Sequence, residues 1–177
     1  MAIMIGAKPD CGFDDPIGML KDCHRRIEHF LHVLCVVVER AAGRAMTDEE
    51  TAAIQSALAY FRTGGQRHMA DEEESLFPRL LAEFRAERLK ELSGLESEHQ
   101  EAYDLHAAAD ALYTAWIEFG SLVPDDIHRL LLITRQLKYL YEEHIGVEEK
   151  IVFPRAAEIL DSETIAAIGR EFRARRE

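Results

Sequence analysis

Apolar residues recur along this chain at intervals of three and four, and strict alternation never holds for more than a few positions. That is the period of a helix burying one face. The first stripe runs Ile17, Leu20, Ile27, Leu31, Leu34, Cys35 and Val38. Asp15 before Pro16 marks its start, because proline suits the first helical position, where no N–H is needed. Gly43 is a natural stop. Thr47-Asp48-Glu49-Glu50 reads as a capping box opening a second helix through Ile54, Leu58 and Phe61. Gly64 and Gly65 weaken that helix and allow either close packing or a break. Pro78 should kink or end it. A third helix is expected from about Ala86–Arg88 to Phe119. After the connection 120–125 a fourth should reach about Val152, with a kink or break at Pro154. A short fifth should start at Asp161 or Ser162 and end in the arginines.

Four long helices with short connections pack as antiparallel neighbours. The expected fold is all-α: an up-down-up-down antiparallel four-helix bundle over about 15–160, with a short C-terminal fifth helix over about 161–176. The whole chain, 1–177, is expected to be one domain.

Composition narrows the function. Of 177 residues, 47% are apolar, enough for a substantial core. The net charge of −12 would repel a phosphate backbone, so no nucleic-acid partner is expected. No apolar run approaches the ~20 residues that span a bilayer, so no membrane partner is expected either. The stretch Met1 to Pro16 has one lysine and no signal-peptide core, which points to a cytoplasmic protein. The basic cluster Arg170, Arg173, Arg175 and Arg176 fits the last turn of a helix, where the dipole favours cations. Cys11, Cys23 and Cys35 form neither a disulfide framework nor a zinc ribbon. Cys35, three turns after His24, reads as a buried free thiol. Cys11, before a glycine in a loop, is a candidate reactive thiol.

The chemistry lies in a repeat. His68-Met-Ala-Asp-Glu72-Glu73-Glu-Ser-Leu-Phe77-Pro78-Arg79 aligns without a gap on His144-Ile-Gly-Val-Glu148-Glu149-Lys-Ile-Val-Phe153-Pro154-Arg155, with six of twelve positions identical. The offset is 76 residues, and His24 precedes His99 by 75. Each half therefore offers a lone histidine on one helix and His-x-x-x-Glu on the next. Residues i and i+4 share a helix face, about 40° apart and ~6 Å along the axis. On the fourth helix that face also carries Leu130, Ile133, Leu137, Leu140 and Ile151, all expected in the core. Counting the helical rise from each connection puts His24, His68, Glu72, His99, His144 and Glu148 in one layer, mostly to within about a turn. Such buried groups need partners. Imidazole and carboxylate suit iron, manganese or zinc, and six ligands exceed what one tetrahedral zinc uses. Two metals bridged by the two carboxylates would use all six. A buried His–Glu hydrogen-bond network is the metal-free alternative.

These residues, with Glu73, Glu149, the two Phe-Pro pairs and Glu98-His99, resemble the hemerythrin-like HHE cation-binding family. The resemblance runs from about Asp15 to the arginine-rich end. It implies a four-helix bundle holding two non-haem iron ions, replaceable by zinc or manganese, with the carboxylates bridging and the histidines terminal. It further implies a small diatomic ligand such as O2 or NO. The oxygen carriers of that family have a fifth histidine where this chain has Tyr103, which speaks against reversible oxygen carriage. The set is more similar to sensing and iron–sulfur repair members, although the repair proteins' extra cysteine-bearing domain is not expected here. A sensor or binding module is therefore the first expectation. A di-iron enzyme or iron donor in damage repair is the alternative, and a metal-free bundle acting through protein contacts the third. Ferritin-like di-iron proteins fit less well, since Glu-x-x-His occurs once, at Glu96 and His99.

Other polar residues divide by position. Tyr103 is either a group at the site or a core tyrosine. Glu28, one turn after His24, is expected on the surface sooner than near the metals. His106 and Asp110 would pair with each other, as a polar channel or a core pair. His29 and His128 should be exposed, and His32 is ambiguous. Glu73 and Glu149, rotated from the ligand face, are either solvent-facing or interhelical partners.

Overall fold

The computed structural model describes residues 11–83 and 90–177, and every regular element among them is helical. The first helix, α1, is Pro16–Ala41. Asp15 caps it by accepting from the Gly18 N–H at 2.9 Å. It stops as expected: Ala42 turns left-handed and Gly43 follows at φ 85°. A side chain at Gly43 would run into Ile127 and the Leu122 carbonyl. That close approach lets the Leu122 N–H donate to the Gly43 carbonyl. The Trp116 indole N–H also donates to Arg44 O, so the two connections at this end are tied together.

The second helix, α2, covers 48–83 in five segments. The capping box at Thr47 and Glu50 is formed in both directions. Asp48–Tyr60 is α-helical, and the glycine pair neither breaks the helix nor leaves it unchanged. It sits in a π-helical turn, Phe61–Gly65. A side chain at Gly64 would strike the Tyr60 ring. Gln66–Asp71 follows, then a second π turn, Glu72–Leu76, and Phe77–Glu83. Helix α3 is Lys90–Phe119; its expected start at Ala86–Arg88 lies outside the described residues. Helix α4 covers 124–159: Pro124–Val147, a π turn at Glu148–Val152, and Phe153–Ile159. Helix α5 is Ser162–Ala174, capped by Asp161.

Neither Pro78 nor Pro154 ends its helix. Each follows a π turn, in which the N–H of Phe77 or Phe153 reaches back five residues to Glu72 or Glu148. The wider turn carries the helix past a residue that has no N–H to give. It also shifts the register by one residue. Ile151, expected in the core, is consequently 51% exposed.

The helices pack as a bundle: α1 on α2 and α4, α3 on α4 and α2, and α5 on α1 and the second π turn of α2. Two apolar clusters result. One gathers Leu31, Leu34, Ile54, Tyr113, Trp116 and Leu137; the other Leu20, Leu76, Phe77, Leu95, Phe153 and Phe172. Every long helix crosses from one cluster to the other: at a histidine on three of them, between Leu20 and Ile27, Phe61 and Leu76, and Leu95 and Ala102, and at Glu148 on α4, between Ile145 and Val152.

Candidate metal centre

All six predicted residues meet at that crossing. His24 and His99 come from α1 and α3, His68 and Glu72 from α2, His144 and Glu148 from α4. None is more than 5% exposed. They form two groups that share both carboxylates. In one, His24 Nε2 lies 3.1 Å from Glu148 Oε2 and 3.9 Å from Glu72 Oε1, and His68 Nε2 lies 3.4 Å from Glu72 Oε1. In the other, His99 Nε2 lies 3.4 Å from Glu72 Oε2, and His144 Nε2 lies 3.4 Å from Glu148 Oε1. Each carboxylate turns one oxygen to each histidine pair. The pairing His24 with His68 and His99 with His144 is a tertiary result that spacing alone left open.

Outer hydrogen bonds orient the rings. His99 Nδ1 meets Glu73 at 2.7 Å, His144 Nδ1 meets Glu98 at 2.8 Å, and His24 Nδ1 meets Glu149 at 2.8 Å. An ionised carboxylate only accepts, so each Nδ1 carries a proton and each Nε2 is turned inward, where it can hold a proton or a cation. Glu73 and Glu149 are thus interhelical partners, although their side chains stay 42% and 39% exposed. Glu98 has the same role, which its place beside His99 in the sequence did not reveal. Phe153 stacks on His24 at 5.3 Å between ring centroids, and Phe77 on His99 at 6.2 Å. The Phe-Pro pair of the repeat therefore supplies a ring beneath the layer as well as the residue that follows the π turn.

The donor set fits a cation. All four oxygens of Glu72 and Glu148 are buried without a hydrogen-bond donor, which is costly for a carboxylate. With Nδ1 of both rings protonated, His99 Nε2 and His144 Nε2 face each other across 3.0 Å, where two lone pairs would repel. Only a proton or a metal ion between such groups turns repulsion into binding. Burial alone pushes the His24 imidazole down, but Glu148 and Glu72 outweigh it and raise it to about 10. His99 is likewise lowered by burial and raised, on balance, to about 9 by Glu72 and Glu73. His144 also ends up raised, against burial, by Glu148 and Glu72. His68 goes the other way: burial dominates and lowers it to about 4. Burial would raise Glu72, yet the surrounding imidazoles hold it well below the ordinary carboxylate range. Protons and metal ions compete for the same lone pairs.

Other residues fall outside the layer. Tyr103 is 51% exposed and lines an outer pocket of about 340 Å³ with Phe61, Gln66, Met69 and His106. His106 does not pair with Asp110. Arg62, placed by the first π turn, takes both Asp110 oxygens at 2.6 Å, leaving His106 Nε2 to the Tyr141 hydroxyl at 3.2 Å. Glu28, His29, His32 and His128 are exposed. No disulfide joins the three cysteines. Cys35, expected buried, is only partly so; its thiol donates to the Thr134 carbonyl. Arg175 and Arg176 do more than meet a helix dipole, since both pair with the buried Asp71.

A search among curated proteins gives no match. The family model of the hemerythrin HHE cation binding domain matches residues 15–156. That span holds all six inward-facing residues and both copies of the His-x-x-x-Glu-Glu repeat, and the chain belongs to the hemerythrin HHE cation-binding domain family.

Proposed function

We propose that this chain holds two non-haem iron ions, one between His24 and His68 and one between His99 and His144, with Glu72 and Glu148 bridging. On this reading it binds or senses O2, NO, or iron and redox state. The observation that carries it is the sharing of both carboxylates between two histidine pairs, with every carboxylate oxygen otherwise unpartnered. Nitrogen and oxygen ligands of this kind suit iron, with manganese or zinc as replacements. Bound iron would supply reversible electron exchange and affinity for a diatomic ligand. The chain's own part is to fix the rings through Glu149, Glu73 and Glu98, to bury the layer between two apolar clusters, and to exclude bulk water.

The reading takes 1–177 as one domain whose four long helices alternate in direction. The crossings between the two clusters support that alternation, since α1 and α3 run from the second cluster to the first and α2 and α4 run back. Exposure of Tyr103 leaves four histidines and two glutamates in the layer, which favours sensing or binding over oxygen carriage in the manner of a five-histidine centre. No helix among the described residues is long and apolar enough to cross a membrane.

Anaerobic Fe(II) titration of metal-free protein tests this. About two irons per chain are expected from the two ligand groups, with specific binding impaired in His68→Ala and Glu148→Ala. Admitting O2 or NO to the loaded protein should then change its visible absorption without turnover. Absence of specific binding by folded protein would leave only the hydrogen-bonded polar layer. Sustained consumption of peroxide or NO would favour the enzyme.

A further inference from the structure

The two halves of the repeat are not equivalent around the histidines. Glu73 and Glu149 occupy matching positions and make matching bonds, to His99 and His24. Glu98 bonds His144 Nδ1. The matching bond in the other half would run from residue 23 to His68, because His24 matches His99 and His68 matches His144. Residue 23 is Cys23. Its thiol accepts instead from the Arg26 guanidinium at 3.1 Å, and its carbonyl from the Tyr60 hydroxyl at 3.3 Å. His68 Nδ1 is buried with no hydrogen-bond partner. Three of the four rings are therefore held by a carboxylate, and the fourth is not.

A carboxylate on the outer nitrogen fixes the ring's orientation and tautomer and makes the inner nitrogen a better donor; losing one costs about 10–100-fold in metal affinity. We infer that the two cation positions are unequal, the His24–His68 position binding its cation about 10–100-fold more weakly than the His99–His144 position, because Cys23 stands where the other half has Glu98. The inference rests on the two-cation reading above and adds to it an order of filling. When metal is available between the two affinities, the chain is half-loaded at His99 and His144. The His24–His68 position then fills and empties with supply, which makes the centre responsive to metal availability.

Histidine-labelled protein titrated with Zn(II) alone, followed by imidazole nitrogen NMR with assignments from single-histidine variants, reads the order directly. The His99 and His144 resonances should respond over the first equivalent, and those of His24 and His68 over the second. Glu98→Ala, at a partly exposed position, should abolish the preference. Cys23→Ala should leave the order unchanged, since the thiol is not bonded to His68. Simultaneous filling of all four histidines, or filling of His24 and His68 first, overturns the inference while leaving two-cation binding intact. No response from any of the four in folded protein removes the two-cation reading itself, and the inference with it.

Discussion

His106 is a single imidazole whose state is set by what surrounds it. Burial lowers it to about 4, against a weaker upward pull from Asp110. In the unfolded chain it takes a proton below its ordinary value of 6.5. Between 6.5 and 4 the unfolded state therefore binds more protons than the folded one, and stability falls as the pH drops through that window. Urea unfolding of wild type and His106→Phe should show this as a steeper acid loss in the wild type, with the two profiles diverging below about pH 6.5. Parallel profiles would mean that folding does not lower the His106 imidazole. At this scale the six inward residues were legible, because a repeat with conserved spacing puts them on matching faces. The outer carboxylate Glu98 was not. It is rotated about 100° from His99 on its own helix, and only the packing of α4 against α3 brings His144 to it.

Among the elements, the π turns decide what the periodic pattern cannot. A stripe counted at 3.6 residues per turn puts Ile151 in the core. The extra residue in the turn Glu148–Val152 moves it out and brings Phe153 in, to 1% exposed. The same turn in α2 brings Phe77 to full burial against His99. Phe77→Ala should therefore cost about 3–5 kcal/mol in urea unfolding, while Ile151→Ala should stay within about 0.5 kcal/mol. Comparable losses in the two variants would show that the register after the π turns is not the one described. The prolines announced a disturbance of each helix but not its kind. A kink, a stop and a widened turn all satisfy a missing N–H, and which occurs depends on what the following residues can bury.

The whole molecule is two apolar clusters with a polar layer between them, closed at one end by α5. Ile168 and Phe172 complete the second cluster. Arg175 and Arg176 reach Asp71, which is fully buried and adjacent to Glu72. Glu171 accepts from Arg79 and Ser75 on α2. Removing both arginines would leave a buried carboxylate without its cations, a loss of about 3–5 kcal/mol by analogy with other broken buried pairs. The variant Arg175→Ala/Arg176→Ala should unfold at markedly lower urea and expose α5 to trypsin. Unchanged stability would show that α5 is held by Ile168 and Phe172 alone.

What the amino-acid order determined by itself was local and periodic: helices, their caps at Asp15 and Thr47, the stop at Gly43, and six ligand-type residues on inward faces. These follow from interactions within a few residues of one another. The pairing of His24 with His68 and His99 with His144, the capture of Asp110 by Arg62 and the outer bonds of Glu73, Glu98 and Glu149 were decided by the tertiary structure. Each depends on the rotation of one helix against another, which is set by how the two cores pack and by the extra residue in each π turn. The unpartnered nitrogen of His68 is the sharpest case, since its counterpart on His144 is bonded to Glu98 and only the tertiary structure shows the difference.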